Sequence, residues 1–411
     1  MRTLLAGFAT PGNVFPVAIP SDHSWDAIVA GVGAVGSATL DQLARRGARV
    51  LGLDRFHPPH DRGSSHGDTR ITRLALGEGA EYAQFARRAH EIWRELEAST
   101  GRTLLRQVGG LVFGGPSGGT LAHGTSDFLE TTIAIARAQG LPHEVLDAAA
   151  LRERFPQFHW RGDERGCLEH TAGLIHPEAC IAAQIEAAQR NGAQLHTGEQ
   201  VRRWEASGSG VTVVTDRATY SAARLILGAG AWMPQLVAPL AAAKVYRQVQ
   251  YWFEPDGPAE QFAPERMPVF IRLPEPGVDM FYGFPAMAGP GGGMKIAGEQ
   301  FDHAVEPDAM SSEVTVNEVR AMHAAAAPHV RITGRCLRAV ACKYTVLPSF
   351  SFVIDQHPAS DRVWLASACS GHGFKHSAAV GEALAELALE GKSSFDLSRF
   401  RLPTSGTPVL G

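Results

Sequence analysis

Three glycines, Gly31, Gly33 and Gly36, stand between a short apolar run and an amphipathic stretch in residues 26–54, DAIVAGVGAVGSATLDQLARRGARVLGLD. The spacing G-x-G-x-x-G in that setting suits one chemistry. Gly31 permits a tight turn, Gly33 lets the backbone approach a pyrophosphate, and Gly36 lets a helix pack on the preceding strand. The helix N-terminus then offers free N–H groups and a positive dipole end to the phosphates. Asp54 closes the second apolar run, where a carboxylate accepts hydrogen bonds from an adenosine ribose. A glycine-rich turn in an ordinary α/β protein would leave Asp54 without a role, so a bound dinucleotide is expected.

Other residues could act on what that dinucleotide meets. Arg70 and Arg73 lie in the Gly-, Ser-, His- and Arg-rich segment His57–Tyr82, placed at the carboxyl edge of the sheet, where ligands bind. On a helix they would share a face, and two guanidiniums beside a cofactor suit an anion; the alternative is a solvated basic face. A second glycine-bearing turn, Ser370-Gly371-His372-Gly373-Phe374-Lys375, follows a buried strand and opens a helix, again presenting N–H groups and a dipole. Lys295, between Met294 and Ile296, is by itself a strand lysine. Cys167, Cys180, Cys336, Cys342 and Cys369 are odd in number and never in a C-x-x-C spacing. They form neither a disulfide framework nor a zinc pattern, and no metal is expected. As small buried hydrophobes Cys167, Cys180 and Cys369 need no further role.

The elements that must position these groups follow from periodicity. The apolar runs ending at Ala30 and Asp54 read as parallel strands with a helix between them. Glu178–Asn191 reads as a helix, followed by an antiparallel meander over Gln194–His196, Gln200–Glu205, Val211–Thr215 and Ala218–Tyr220. Leu225–Leu227 runs into Gly228-Ala229-Gly230-Ala231-Trp232 beside the first fingerprint. Lys244–Phe253 and Val269–Phe284 read as aromatic strands of an antiparallel sheet roofing the cofactor, with a glycine-rich hairpin over Gly109–Gly119 and helices over Thr125–Gln139 and Glu313–Ala325. A chain of 411 residues is long for one core. The expected fold is therefore α/β, a Rossmann-type dinucleotide-binding domain (25–103, 170–240 and 330–395) with an α+β substrate domain built on the antiparallel sheet (104–169 and 241–329). Met1–Ser24 breaks at Pro11, Pro16 and Pro20 and reads as a disordered tail rather than a signal peptide. A formal charge of −4 gives no general attraction to nucleic acid or acidic membranes. No apolar run reaches the roughly 18 residues a membrane span needs. The expected compartment is the cytosol.

The run GSSHGDTRITR followed by GEGAEY (63–73 and 77–82), with YRQV at 246–249, YGFP at 282–285, ACKYT at 341–345 and SGHGFK at 370–375, resembles the monomeric sarcosine oxidase family, which includes N-methyltryptophan oxidase. The resemblance spans nearly the whole chain after residue 25. It implies FAD carried covalently on Cys342, with Val201 over the adenine and Gly371 and Gly373 at the pyrimidine end of the flavin. It implies His66 and Arg70 against the flavin, and His372 within the same catalytic group. Lys295 is implied as the site of oxygen activation, Arg73 and Lys375 as the grip on a substrate carboxylate, and Tyr282 as a wall of the substrate pocket. The implied reaction oxidises a secondary, N-methyl amino acid of the sarcosine or N-methyl-L-tryptophan type. The imine hydrolyses to an aldehyde and an amino acid, and O2 becomes H2O2. The implied partners are the amino acid and O2 alone, and the implied state is a monomer. Competing readings are an oxidase or dehydrogenase of a cyclic or primary amino acid (pipecolate- or glycine-like), a nicotinamide-dependent dehydrogenase, and a flavin-bound scaffold without activity. Three departures concern the substrate: Leu74 and Leu76 replace the usual His and Tyr, and Glu299 stands where a histidine is usual.

Overall fold

The computed structural model describes residues 3–4, 24–116, 127–287 and 289–402. Five parallel strands form the centre of the first sheet, in the order Val363–Ser367, Thr219–Leu227, Ser24–Ala30, Val50–Asp54 and Gln194–Thr197. The runs Ala27–Ala30 and Val50–Asp54 are buried throughout, as strands covered on both faces must be. Helix Ala34–Arg45 lies on one face, between helices Pro177–Arg190 and Ser377–Glu390. Gly381 permits the second of these contacts, because a Cβ there would come within 2.4 Å of Ala38. Strands Val201–Ser207 and Gly210–Thr215 lead antiparallel into Thr219–Leu227.

The second sheet runs Ile332–Val346, Lys244–Pro255, Met294–Gly298, Phe281–Phe284, Val269–Arg272, Gly110–Gly114, Arg165–Glu169 and His143–Leu146. Its pairs are antiparallel except Val269–Arg272 with Gly110–Gly114, which are parallel. A core of Phe, Met, Leu and Ile side chains, among them Phe253, Phe270, Phe281 and Met294, packs against it. A small third sheet joins Arg70–Thr72, Gly173–Ile175 and Leu105–Gln107. The chain is thus an α/β fold of the Rossmann type with a second, largely antiparallel sheet.

Several expectations change in detail. Gln194–Thr197 is no part of a meander: it pairs parallel with Leu51–Asp54, because helix Pro177–Arg190 returns the chain to the same end of the sheet. Gly110–Gly114 is not half of a local hairpin but pairs with Arg165–Glu169; residues 117–119 of that expected hairpin, 125–126 of the following helix, and Ala288 lie outside the described residues. Strand Ile332–Val346 belongs to the second sheet and Val353–Gln356 to the first, so sheet membership changes after Val346 rather than at residue 330. Of the expected tail, Thr3–Leu4 pairs antiparallel with Ala206 and Glu205 and Ser24 opens a parallel strand; the rest lies outside the described residues. Arg70 starts a strand, so it does not share a helix face with Arg73.

Candidate active site

The fingerprint glycines divide the work that their spacing assigns. Gly31 adopts φ +88°, and a Cβ there would meet Gly228 O and Ala229 Cα at 2.7 Å, so the turn is wedged against the start of the Gly-Ala-Gly run. A Cβ on Gly36 would lie 1.8 Å from Gly31 O. A Cβ on Gly33 would meet nothing within 4 Å: its neighbour is the open cleft. The Asp54 carboxylate is fastened to this turn. It accepts the Val32 N–H at 2.8 Å and the Phe56 N–H at 2.7 Å, and so ties the two strand ends together.

One continuous cleft runs from Asp54, Glu199 and Val201 past Gly31, Gly33 and Gly228–Gly230 to Arg70, Tyr282 and the Gly371–Lys375 turn. A long groove with a glycine-edged middle and charged far end matches an extended dinucleotide in shape. At the far end a buried cluster holds Arg73, Glu78, His372 and Lys375. Arg73 Nη2 donates to Glu78 Oε2 at 2.6 Å and Lys375 Nζ donates to Glu78 Oε1 at 3.0 Å. Glu78 is 3 % exposed, and His372 Nδ1 lies 3.9 Å from its carboxylate. Burial pulls the Lys375 ammonium down to about 8, with Glu78 opposing that pull. Arg73 is held further by donation to Ala75 O. That backbone is pinned in turn by Glu169 of the second sheet, which accepts the Leu74 and Ala75 N–H groups at 2.9–3.2 Å.

A second cluster surrounds Lys295, which is 2 % exposed. Its Nζ donates to Gly67 O (2.9 Å), Thr69 O (2.6 Å) and Gln250 Oε1 (3.2 Å), and sits 4.0 Å above the Phe284 ring. Three acceptors match the three N–H groups of an ammonium, while burial and Arg70 push its pKa well below the usual lysine range. Arg70 donates to Thr69 O, Ser64 O and Gln250 Oε1, so Gln250 joins the two cations. His66 passes the same glutamine through its carbonyl, 3.4 Å from Gln250 Nε2. Burial and the Arg70 charge bring the His66 imidazole down to about 4, so it is neutral at pH 7. Its buried Nε2 has no partner among the described residues. Open space at Gly33 and the length of the cleft together fit FAD.

Arg70, Arg73, Tyr282, His372, Lys375 and the glycines Gly31, Gly33, Gly371 and Gly373 line this cleft with Asp54 and Val201. Gly36 supports it from behind. His66 and Lys295 are not among its lining residues; Lys295 borders a separate cavity with Trp252, Phe284 and Arg338. Cys342 is 2 % exposed and packs with Tyr344, Val346 and Tyr246, off the cleft wall. Its neighbours Tyr344 and Thr345 do line the wall, and so does Cys369. Cys369 is therefore no plain core residue, whereas Cys167 and Cys180 are buried as expected. All five thiols are free. Leu76 is fully buried in the core beside Tyr82 and Phe85 and does not line the cleft. Tyr282 pairs with Tyr344, hydroxyl to hydroxyl at 3.0 Å, and burial pushes both phenols up. Glu78, Glu169 and Gln250 carry no motif of their own; only the GEG run pointed at the first.

A dinucleotide cleft ending in buried cations defines a flavin-type oxidoreductase, and the chain belongs to the FAD dependent oxidoreductase family, whose model matches residues 26–387. It is 40 % identical to the monomeric sarcosine oxidase of Streptomyces avermitilis over 92 % of this chain and 97 % of that protein. It is 33 % identical to the N-methyl-L-tryptophan oxidase of Yersinia pestis (strain Pestoides F), over 92 % and 98 % of the two chains. Among solved structures it is similar to NikD, "an unusual amino acid oxidase essential for nikkomycin biosynthesis", with a TM-score of 0.80, 26 % identity and coverage of 93 % and 98 %. The resemblance read from GSSHGDTRITR and SGHGFK holds over most of the chain.

Proposed function

We propose that this protein is an FAD-dependent oxidase of N-methyl amino acids. It takes the amine to an imine that water hydrolyses to an aldehyde and an amino acid, with O2 reduced to H2O2. The observation that carries the reading is the buried Arg73–Glu78–Lys375 cluster at the far end of the dinucleotide cleft. FAD, when bound, supplies the two-electron oxidation and the reduction of O2. Gly31, Gly33, Gly36, Asp54 and Val201 would hold its adenosine and pyrophosphate half, and Gly371 and Gly373 its ring end. Cys342 would carry it covalently, which asks the strand Ile332–Val346 to present the thiol to the cleft.

Arg73 and Lys375 bind the substrate carboxylate, a charge-assisted grip that a guanidinium makes bidentate. Their charge disfavours protonation of the neighbouring amine, which must be neutral to be oxidised. Tyr282 and Tyr344 wall the pocket. Arg70 holds a positive charge beside His66, whose imidazole stays neutral, and Lys295 serves the reduction of O2. His372 lies against Glu78 and steadies the clamp. The enzyme works as a cytosolic monomer on the amino acid and O2 alone. A second reading, an oxidase of another kind of amino acid such as a cyclic or primary one, stays beside it; NikD, which the chain resembles, is an amino acid oxidase called unusual.

The test is a denaturing gel of acid-treated protein scanned for flavin fluorescence, followed by peroxide assays with sarcosine, N-methyl-L-tryptophan and pipecolate. Fluorescence retained by the wild type and absent from Cys342→Ala supports the attachment; flavin freed from the wild type refutes it. Turnover of pipecolate alone would move the assignment to the second reading.

A further inference from the structure

Two hydroxyls on the cleft wall stand without a partner. Thr345 Oγ1 and Ser377 Oγ are buried, each residue 1 % exposed, and neither is bonded to any described residue. Both residues line the cleft. Other buried hydroxyls of the chain are satisfied from within. Ser37 Oγ donates to Gln184 Oε1 at 2.8 Å, Thr132 Oγ1 to Phe128 O at 2.8 Å, and Ser370 Oγ to Ser351 O at 2.9 Å. The two exceptions have local causes. Thr345 is paired with Val245 across strands Ile332–Val346 and Lys244–Pro255, and a valine side chain offers a hydroxyl nothing. Ser377 opens helix Ser377–Glu390, so no α-helical turn precedes it to supply the kind of carbonyl that Thr132 uses.

Their place in the fold says which part of a ligand meets them. Strands Ser24–Ala30 and Val363–Ser367 both run parallel to Thr219–Leu227, so the helices that follow them start at the same edge of the sheet. Helices Ala34–Arg45 and Ser377–Glu390 pack with Gly381 on Ala38, each four residues in from its own start. Ala34 and Ser377 therefore open side by side on the cleft, and Ser377 stands between the Gly31–Gly33 turn and the Gly371–Lys375 turn. Thr345 flanks the second turn from its other side, since its carbonyl accepts the Ser370 N–H at 2.9 Å. A buried hydroxyl left unbonded is costly, and the cost is removed when a ligand bonds it. We propose that Thr345 and Ser377 hydrogen-bond the riboflavin half of FAD, Thr345 at the ring end and Ser377 towards the ribityl chain. This rests on the placement of Gly31 and Gly33 at the pyrophosphate and of Gly371 and Gly373 at the ring end. The ADP half of the cofactor meets neither hydroxyl.

The experiment titrates the full chain with FAD and with ADP, freed of flavin and carrying Cys342→Ala so that binding stays reversible. This parent is compared with the same chain bearing Thr345→Val, Thr345→Ser or Ser377→Ala. Flavin fluorescence and calorimetry give the affinities, and thermal melts without ligand report on the fold. Thr345→Val and Ser377→Ala are each expected to weaken FAD by about 3- to 10-fold, as loss of one hydrogen bond does, and to leave ADP within about 2-fold. Thr345→Ser keeps the hydroxyl and should hold FAD within about 2-fold of the parent. The unliganded Tm of Thr345→Val and Ser377→Ala should stay level or rise, because each removes a buried hydroxyl that has no partner. A lowered Tm would mean that the hydroxyl serves the fold, and overturns the proposal. FAD affinity unchanged in both variants overturns it, and so does ADP weakened in step with FAD, which would mark a cleft deformed as a whole. Thr345→Ser as weak as Thr345→Val removes Thr345 from the assignment. A parent chain that binds ADP and not FAD would instead refute the reading of the cleft as an FAD site.

Discussion

Glu78 should set the pH at which the carboxylate clamp works. Its side chain lies between two cations, 2.6 Å from Arg73 and 3.0 Å from Lys375. Burial holds the Lys375 ammonium at about 8, below its ordinary 10.5, and Glu78 is the first influence acting the other way. Glu78→Gln keeps the shape and removes the charge. An opposite charge at contact distance moves a pKa by about one to three pH units, so the Lys375 midpoint should fall from about 8 to roughly 5–7. The sign is fixed: losing an anion can only disfavour the ammonium. Propanoate is a suitable probe because its carboxylate stays ionised throughout and it cannot be oxidised. Calorimetry on the FAD-loaded wild type from pH 6 to 9.5 should show affinity falling as pH rises through about 8. The fall should level off at about 10- to 100-fold, the worth of one charge-assisted hydrogen bond, because Arg73 stays charged. In Glu78→Gln the same fall should be well advanced at pH 7. A midpoint unchanged or raised in the variant, or a flat wild-type profile, would refute the reasoning.

Three further outcomes rest on the geometry. Gly33→Ala should fold with an unchanged or slightly raised Tm, since its φ of −79° is ordinary and a Cβ meets nothing within 4 Å, yet it should lose FAD; Gly36→Ala, whose Cβ falls 1.8 Å from a backbone oxygen, should lose stability outright, by about 3 kcal/mol, as thermal melts of the two apoproteins would reveal. Glu169→Ala strands the buried N–H groups of Leu74 and Ala75, so a loss of about 2–5 kcal/mol in denaturant titration should accompany a raised KM as the Arg73 loop loosens. Lys295→Met should slow reoxidation by O2 by about 100-fold or more in stopped flow while leaving anaerobic reduction by substrate within about 10-fold.

The legible part of the molecule was the part whose chemistry is local. Gly31, Gly33 and Gly36 act within one strand–turn–helix unit, and Asp54 closes the next strand, so spacing alone carried their roles. SGHGFK was legible for the same reason. The meander expected from Gln194 failed because alternation reports a strand and not its partner: Gln194–His196 reads alike whether it pairs antiparallel with the next strand in the chain or parallel with Leu51–Leu53. Strand Ile332–Val346 misled in a similar way. Its sequence neighbours after Val353 return to the first sheet, whereas its register is fixed by Lys244–Pro255, nearly a hundred residues earlier.

The residues that sequence reasoning missed share a physical trait: each acts on atoms far away in the chain. Glu169 reaches the N–H groups of Leu74 and Ala75, Gln250 joins Lys295 to Arg70, and Gln248 fastens Gln300. Glutamine and glutamate in strands are read by default as solvated positions, and nothing in their local pattern says otherwise. Burial reverses that default. A glutamine 2–3 % exposed in a sheet must commit its amide to a partner, and here Gln248 holds the Gln300 backbone while Gln250 accepts from Lys295 and Arg70. They are two residues apart on strand Lys244–Pro255 and therefore share one sheet face. That single strand thus holds the Lys295 ammonium group through Gln250 and the backbone next to Glu299 through Gln248.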